Sequence, residues 1–216
     1  MKIKRIAVGS LGTNCYIAYD ENKKEGIVID PGANGERIIS HIKALGIDIK
    51  YIVFTHVHFD HILAFFDVKG EYPSAKLIVA DKEKDALYDD EKSLIRYARS
   101  PQPEIKYDLT VKDGDIIKFG DEAFEVIETP GHTEGSICLY SNKILISGDT
   151  LFNYSIGRCD FPTGSLSKEI NSIINILFKL PPETKVYPGH GDETTIEFEK
   201  QHNEVYLWKG DAFENR

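Results

Sequence analysis

The first third of the chain alternates short apolar runs with polar and glycine residues. The runs at 3–8, 15–19 and 26–30 are rich in isoleucine, valine, tyrosine and alanine, which is typical of β-strands. Glycine, asparagine and proline lie between them and indicate turns. We therefore expect three short strands close together at the start of the fold.

A helix is predicted next, from about Gly35 to Leu45. Ile38, Ile42 and Leu45 fall at positions i, i+4 and i+7, which is the spacing of one face of an α-helix. Gly46 follows this face and is typical of a helix end. The wholly apolar residues 51–54 then predict a strand that is buried on both faces.

The middle of the chain predicts one more strand and a charged surface segment. Residues 76–80 read KLIVA and favour a strand. The stretch 82–107 is charged and contains Tyr88, Tyr97 and Tyr107. We expect one or two surface helices within it.

The second half predicts hairpins, then a helix, a strand and a final helix. Isoleucine and leucine at helical spacing predict a helix over 166–179; a strand at 184–187 and a helix over 193–207 follow. Two strand-rich halves, each with helices, predict an α+β fold, an αββα sandwich with the helices outside. No linker interrupts residues 1–216, so we expect one domain. The hairpin strands are expected at 115–119, 122–128, 136–140 and 143–147.

Composition limits the classes of partner. Hydrophobic residues make up 41% and charged residues 28%, which is ordinary for a globular protein, and the net charge of −9 disfavours nucleic-acid binding. The three cysteines form no C-x-x-C pair, so no disulfide scaffold is expected. Because no apolar run suits a signal peptide or a membrane span, we expect a cytoplasmic protein without a membrane partner.

Histidine and aspartate cluster in one short segment, THVHFDH, directly after the strand at 51–54. In an extended chain His56 and His58 point the same way, so both can bind one cation. Asp60 stays on that side if the extension continues; if the chain turns, Asp60 and His61 reach a second cation. Imidazole and carboxylate ligands suit zinc, iron or manganese.

Three further residues of the same chemistry follow predicted strands. They are His132 in PGHT, Asp149 in GDT and His190 in PGH. A lone histidine after a strand is usually structural, and His41 and His202 fit that interpretation. Seven ligand-type residues at strand ends instead predict a metal site.

The pattern THVHFDH, PGHTEGS, GDTLF, GRCDFP and PGH resembles the metallo-β-lactamase superfamily. Within it, the chain is similar to single-domain glyoxalase II-like hydrolases, also described as hydroxyacylglutathione hydrolase-like. This resemblance implies an αββα sandwich with a dinuclear site of two divalent ions, zinc first, with iron or manganese as alternatives. It implies His56, His58 and His132 as ligands of one metal, Asp60, His61 and His190 as ligands of the other, and Asp149 as the bridge.

The chain departs from the resembled pattern in two places. Ala64 stands where the first motif often ends in glycine. Only 26 residues follow His190, and glyoxalase II enzymes carry a C-terminal helical domain that binds glutathione. We therefore expect no such domain here, and a glutathione specificity is in doubt.

The expected reaction is hydrolysis of small acyl thioesters, such as S-lactoylglutathione, by a metal-bridging hydroxide. Asp60 would be catalytic, steering the hydroxide and receiving its proton. A thiolate of pKa about 8.5 leaves with little general-acid help, which favours thioesters over amides. A mononuclear-iron persulfide dioxygenase remains an alternative, since such enzymes share the G-R-x-D-F stretch at 157–161, and a lactonase is another. A β-lactamase is disfavoured, because no secretion signal is evident.

Residues beside these motifs have two interpretations each. Arg158 could bind a substrate carboxylate or form an ion pair with a neighbouring acid. Asp30 could orient a ligand histidine or only form a turn before proline. Cys159 could meet a thiol substrate, but a buried filling role is favoured. The substrate is expected to be a small molecule, and the oligomeric state is left open.

Overall fold

The computed structural model describes residues 1–98 and 104–208 of the chain. Its first sheet has six strands in sequence order along the sheet. The first three strands pair antiparallel, and the remaining three join the sheet in parallel. These strands are β1 Lys2–Val8, β2 Thr13–Asp20, β3 Glu25–Ile29, β4 Asp48–Val53, β5 Lys76–Ala80 and β6 Leu109–Val111.

The second sheet also has six strands in sequence order. Its pairs are antiparallel except for β10 with β11, which is parallel because a long helical crossover connects them. Its strands are β7 Ile116–Phe119, β8 Glu122–Glu128, β9 Ile137–Ser141, β10 Ile144–Gly148, β11 Lys185–Pro188 and β12 Thr194–Thr195.

Helices cover the outer faces of both sheets. The helix between β10 and β11 begins as α4, Leu166–Asn171, and continues through a π-helical turn, Ser172–Ile176, into a 3₁₀ turn, Leu177–Lys179. None of the helices within the described residues is both long and apolar enough to cross a bilayer. The remaining α-helices are α1 Gly35–Leu45, α2 Phe59–Ile62, α3 Phe65–Glu71, α5 Ile196–His202 and α6 Val205–Trp208.

Three apolar clusters hold these layers together. The central cluster lies between the sheets, where Tyr16 and Ile29 of the first sheet share a core with Phe124 and Leu139 of the second. A second cluster packs α1 and α3 on the first sheet, and a third packs α4 on the second sheet. Side chains of β2 and β3 alternate between the central and outer clusters, as a sheet covered on both faces requires. The predicted αββα sandwich is confirmed.

Most predicted elements are found close to their expected bounds. The helix at Gly35–Leu45 is confirmed, and Gly46 ends it with a left-handed φ of 64°. The strands at 3–8, 15–19 and 26–30 correspond to β1, β2 and β3, and the predicted hairpins correspond to β7 through β10.

Within the described residues, the one or two surface helices predicted for 82–107 are present only as short 3₁₀ helices. Two single 3₁₀ turns, Ala86–Tyr88 and Ile95–Tyr97, take the place of longer helices, and residues 99–103 lie outside the described part. The Asp89 carboxylate accepts hydrogen bonds from the backbone N–H groups of Glu91 and Lys92, at 2.9 and 3.1 Å. Such local side-chain bonds compete with helix hydrogen bonds, which explains the difference.

Two short strands, β6 and β12, were not predicted, and the final helix is divided. The predicted helix over 193–207 begins only at Ile196, where the Thr195 side chain caps it by accepting a hydrogen bond from the Phe198 N–H. It ends at His202, and α6 follows as a separate turn. Strands of two or three residues carry too few side chains to show an alternating pattern.

Candidate metal centre

The seven side chains predicted as metal ligands lie together at one edge of the sandwich, on loops that follow strands of both sheets. They form three overlapping groups in which the ligand atoms all lie within 4.8 Å of one another. The groups are His56, His58 and His132; His56, His61 and Asp149; and Asp60, His61 and His190.

The group of His56, His58 and His132 is called the three-histidine site below. His132 Nε2 lies 2.9 Å from His58 Nδ1, and the three ring centroids are 4.6 to 4.8 Å apart. His56 and His58 lie in the loop that follows β4, where Thr55 and His56 form a bend, and their ligand atoms face the same site. His132 reaches them from the loop after β8 in the other sheet.

The group of Asp60, His61 and His190 is called the second site. His58 keeps an extended backbone, with φ −61° and ψ 144°, and α2 begins directly after it. The chain therefore turns at Asp60 and does not continue in extended form, which is the second of the two alternatives predicted for this residue. Asp60 Oδ2 lies 3.5 Å from His61 Nε2 and 3.3 Å from His190 Nε2.

Asp149 lies between the two sites. Its Oδ1 is 3.4 Å from His61 Nε2, and its Oδ2 is 3.6 Å from His132 Nε2 and 3.5 Å from His190 Nε2. The chain approaches this carboxylate so closely at Gly189 that an added Cβ would lie 2.0 Å from Oδ1. Glycine is required there because any side chain would displace the carboxylate.

Unpartnered buried atoms test whether these residues suit a metal. His56 Nε2, His58 Nε2, His61 Nε2 and Asp149 Oδ1 are buried without a hydrogen-bond partner. Buried polar atoms without a partner lower the stability of the fold, unless a bound ion or ligand interacts with them. Imidazole nitrogen and carboxylate oxygen together form a donor set for zinc, iron or manganese. The residues present therefore fit divalent metal ions.

The electrostatics of the three-histidine site keep its imidazoles neutral. Burial, reinforced by the neighbouring His132 and His61, lowers the pKa of His58 to about 3. Burial likewise holds the pKa of His56 well below its ordinary value and lowers the pKa of His132. Neutral imidazoles have a free lone pair, so these three are ready to bind a metal.

The second site carries opposite charges instead. Burial opposes ionisation of Asp60, but His61 and hydrogen bonds with His190 and Thr13 outweigh it and lower the pKa of Asp60 to about 2. Burial also opposes the charge of His190, yet hydrogen bonds with Asp149 and Asp60 raise its pKa to about 9. A metal that binds here must displace protons from the imidazoles.

Other groups hold the Nδ1 atoms of His61 and His132. His61 Nδ1 lies 3.0 Å from Asp30 Oδ2, and the same carboxylate accepts hydrogen bonds from the Thr55 N–H and hydroxyl, at 2.8 and 2.7 Å. His132 Nδ1 lies 2.6 Å from the carbonyl oxygen of Arg158. Asp30 therefore has the orienting position, the first of its two predicted alternatives.

Three further residues that were not predicted from the sequence support the site. The Thr13 hydroxyl donates to Asp60 Oδ2 at 2.7 Å. Glu169 is buried and accepts a hydrogen bond from the His132 N–H at 2.9 Å, and Glu83 contacts the same loop. No local motif marks them, because each reaches the site only through tertiary packing.

Comparison with known proteins settles the family. The sequence model of the metallo-β-lactamase superfamily matches residues 8–190. The chain belongs to the metallo-β-lactamase superfamily. Over 210 residues it is 35% identical to the hydroxyacylglutathione hydrolase GloC of Haemophilus influenzae, an alignment that covers 94% of this chain and 97% of GloC.

Solved structures of the superfamily have the same fold. The BLEG-1 B3 metallo-β-lactamase superposes with a TM-score of 0.87 at 35% identity, over 94% of this chain and 98% of BLEG-1. TTHA1623, solved in a di-iron-bound form, superposes with a TM-score of 0.81 at 28% identity, over 93% of this chain and 98% of TTHA1623. Membership supports an enzyme, a metallo-hydrolase that uses divalent metal, and leaves the identity of the metal open.

Arg158 lies beside the candidate metal centre, in the loop after β10. It is exposed and forms a two-point ion pair with Asp160, with Nε–Oδ1 at 3.0 Å and Nη2–Oδ2 at 2.7 Å. Its guanidinium also lies 4.3 Å from the centre of the Phe161 ring, which packs edge-on against His58. The arrangement fits the ion-pair interpretation, and substrate binding by Arg158 stays a prediction.

A pocket of about 420 Å³ opens beside Asp60. Its described lining includes the apolar side chains of Leu11, Phe59, Leu63 and Tyr97, and none of its described lining residues is lysine, arginine or histidine. On the other side of the rim, Cys159 is half-buried, and burial raises the pKa of its thiol to about 12. This raised pKa keeps the thiol protonated at neutral pH and disfavours a reactive thiolate, and the packing role of Cys159 stays a prediction.

Proposed function

We propose that this protein is a dinuclear metal-dependent hydrolase of small acyl thioesters. The observation that carries the proposal is the pair of adjoining ligand sites with Asp149 between them, at which four buried ligand-type atoms lack a partner. The three-histidine site would hold one ion, the second site another, and Asp149 would contact both. Zinc is the first candidate, with iron or manganese as alternatives.

The residues of the chain have separate roles in this reaction. Two bound divalent ions supply Lewis acidity and lower the pKa of water toward ~7. Asp60 is ionised at neutral pH, and its carboxylate, held by Thr13, can orient the attacking water and accept its proton. Asp30 keeps the His61 ring in place through Nδ1.

The choice of thioesters rests on the leaving group and on one relative. A thiolate with a pKa of about 8.5 departs with little protonation, whereas an amide nitrogen needs a general acid. GloC, whose name describes a hydrolase of hydroxyacylglutathione, is 35% identical over nearly its whole length. Both points support thioester cleavage over amide cleavage.

The pocket beside Asp60 bears on the carrier thiol. Glutathione has two carboxylates, and the described lining of this pocket offers no cationic side chain to bind them. Binding energy from remote parts of a substrate lowers KM. We therefore expect S-lactoylglutathione to be a substrate with a high KM, and selectivity between carrier thiols to be weak.

The test is a substrate panel with metal-loaded protein. It compares S-lactoylglutathione, lactoyl and acetyl esters of other thiols, a lactone, nitrocefin, and glutathione persulfide with oxygen uptake. Nitrocefin is included because BLEG-1 is a metallo-β-lactamase. Thioesters should have the highest kcat/KM. Oxygen uptake with the persulfide and no thioester cleavage would establish the iron dioxygenase alternative instead, and preferred cleavage of the lactone would establish a lactonase.

Replacement of Arg158 separates its two interpretations. If Arg158 binds a substrate carboxylate, Arg158→Ala should raise KM for acidic acyl thioesters roughly 10-fold, with less change in kcat. Asp160→Asn should then lower KM, because it releases Arg158 from its ion pair. An equal loss with neutral thioesters, or a lower melting temperature alone, would support a structural ion pair.

A further inference from the structure

Glu83 is a buried carboxylate with no assigned role. It lies three residues beyond β5, and only 3% of its surface is exposed. A buried acid of this kind is costly unless hydrogen bonds compensate it. Three donors do so, and all three belong to the loops that carry the three-histidine site.

One oxygen of Glu83 holds the loop after β4. The N–H of Val57, the residue between His56 and His58, donates to Glu83 Oε2 at 3.2 Å. Because Val57 separates the two ligands in sequence, this bond fixes the backbone from which both imidazoles project. The loop then has little freedom to move away from β5.

The other oxygen of Glu83 holds the loop after β8. The Thr133 hydroxyl and the Gly135 N–H donate to Oε1 at 2.5 and 2.9 Å. Thr133 directly follows His132 in sequence. The contact is close, since a Cβ at Gly135 would lie 2.6 Å from Glu83 Cγ. A single carboxylate therefore connects the two loops, one from each sheet, whose histidines must converge on one ion.

The second site has a different set of supports. Thr13 donates to Asp60, Asp30 lies against His61 Nδ1, and the Asn14 N–H donates to the Gly189 carbonyl beside His190. Glu83 takes part in none of these bonds. Asp30 also accepts hydrogen bonds from Thr55, the residue before His56, so it contacts both sites, whereas Glu83 contacts only the loops of the three-histidine site.

We propose that Glu83 is a positioning residue that sets the distance between His132 and the pair His56 and His58, and thereby the metal affinity of the three-histidine site. The inference rests on the metal-binding part of the proposed function and is independent of the substrate. Hydrogen bonds to a carboxylate are stronger than those to a neutral amide. In Glu83→Gln one acceptor oxygen becomes an NH₂ group that faces an N–H or O–H donor, so one loop loses its attachment.

The experiment measures metal affinity, without substrate, by competition with a chromophoric chelator. Titration with Zn²⁺ in a His190→Ala background isolates the three-histidine site, and a His132→Ala background isolates the second site. Glu83→Gln should weaken zinc binding at the three-histidine site about 10- to 100-fold and change the second site less than about 3-fold. Thr13→Val should weaken zinc binding at the second site and change the three-histidine site little, because Thr13 donates to Asp60.

Glu199→Gln is the matched control. Glu199 is also a fully buried carboxylate with three donors, which are Tyr154 N–H, Asn203 Nδ2 and the Thr194 hydroxyl, at 3.0, 2.7 and 2.6 Å. None of these donors is adjacent in sequence to a ligand-type residue, whereas Val57 and Thr133 both are. Glu199→Gln should lower the melting temperature of the metal-free protein and leave both zinc affinities unchanged.

Thr133→Val provides a milder variant if Glu83→Gln does not fold. It removes one donor and keeps the carboxylate, so it should weaken the three-histidine site in the same direction by a smaller factor. If Glu83→Gln or Thr133→Val lowers only the melting temperature, as in the Glu199 control, the proposal is wrong. Absence of thioester cleavage with normal zinc affinities would overturn the proposed function and leave this proposal standing.

Discussion

Asp149→Ala should lose hydrolytic activity by a factor on the order of 10³ and should retain less than two equivalents of metal. Asp149 faces both sites, with one oxygen near His61 and the other near His132 and His190. Its negative charge would also reduce the repulsion between two cations held in the adjoining sites. Its loss should therefore cost more than the loss of one terminal histidine.

Elemental analysis and initial rates on the same preparation check this result. Asp192→Ala serves as the control, because Asp192 is an exposed carboxylate two residues after His190 and belongs to no ligand group. Full activity and full metal content in Asp149→Ala would exclude a dinuclear centre bridged by this residue.

Removal of metal is expected to abolish activity, and two equivalents of a divalent ion per chain should restore it. Seven ligand-type residues in two adjoining sites give this stoichiometry. The measurement is a titration of chelator-treated protein that follows rate and bound metal together. Full recovery at one equivalent of iron, with no binding of a second ion, would contradict the dinuclear proposal and favour the dioxygenase.

The metal affinities of the two sites should depend differently on pH. Since the pKa of His190 is raised to about 9, an ion must displace its proton, and binding at the second site should strengthen as pH rises from about 6 to 9. The pKa of His58 is already about 3, so binding at the three-histidine site should change little over that range.

The sequence predicted those parts of the fold that depend on neighbours along the chain. The spacing of Ile38, Ile42 and Leu45 gave α1, and Gly46 gave its end. The helices predicted within 82–107 are only short 3₁₀ helices, because charge alone does not distinguish an α-helix from turns stabilised by local bonds such as those of Asp89. The first motif left the direction of Asp60 open, since only the packing of α2 decides it.

The same division applies to the candidate site. All seven predicted ligand-type residues are brought together, because each follows a strand and the strands of both sheets end at one edge. Asp30 was recognised only as one of two alternatives, while Thr13, Glu83 and Glu169 were missed. Those contacts join residues 37 to 52 positions apart. No local sequence pattern indicates that these residues are in contact.

The distribution of the ligand groups over both sheets has a mechanical consequence. His56, His58, Asp60 and His61 follow β4 of the first sheet, whereas His132, Asp149 and His190 follow strands of the second. Each bound ion would therefore cross-link the two layers, as a disulfide does between distant segments. Stripping the metal should let this edge of the sandwich open locally, with faster amide hydrogen exchange at the ends of β4, β10 and β11 than in the central core.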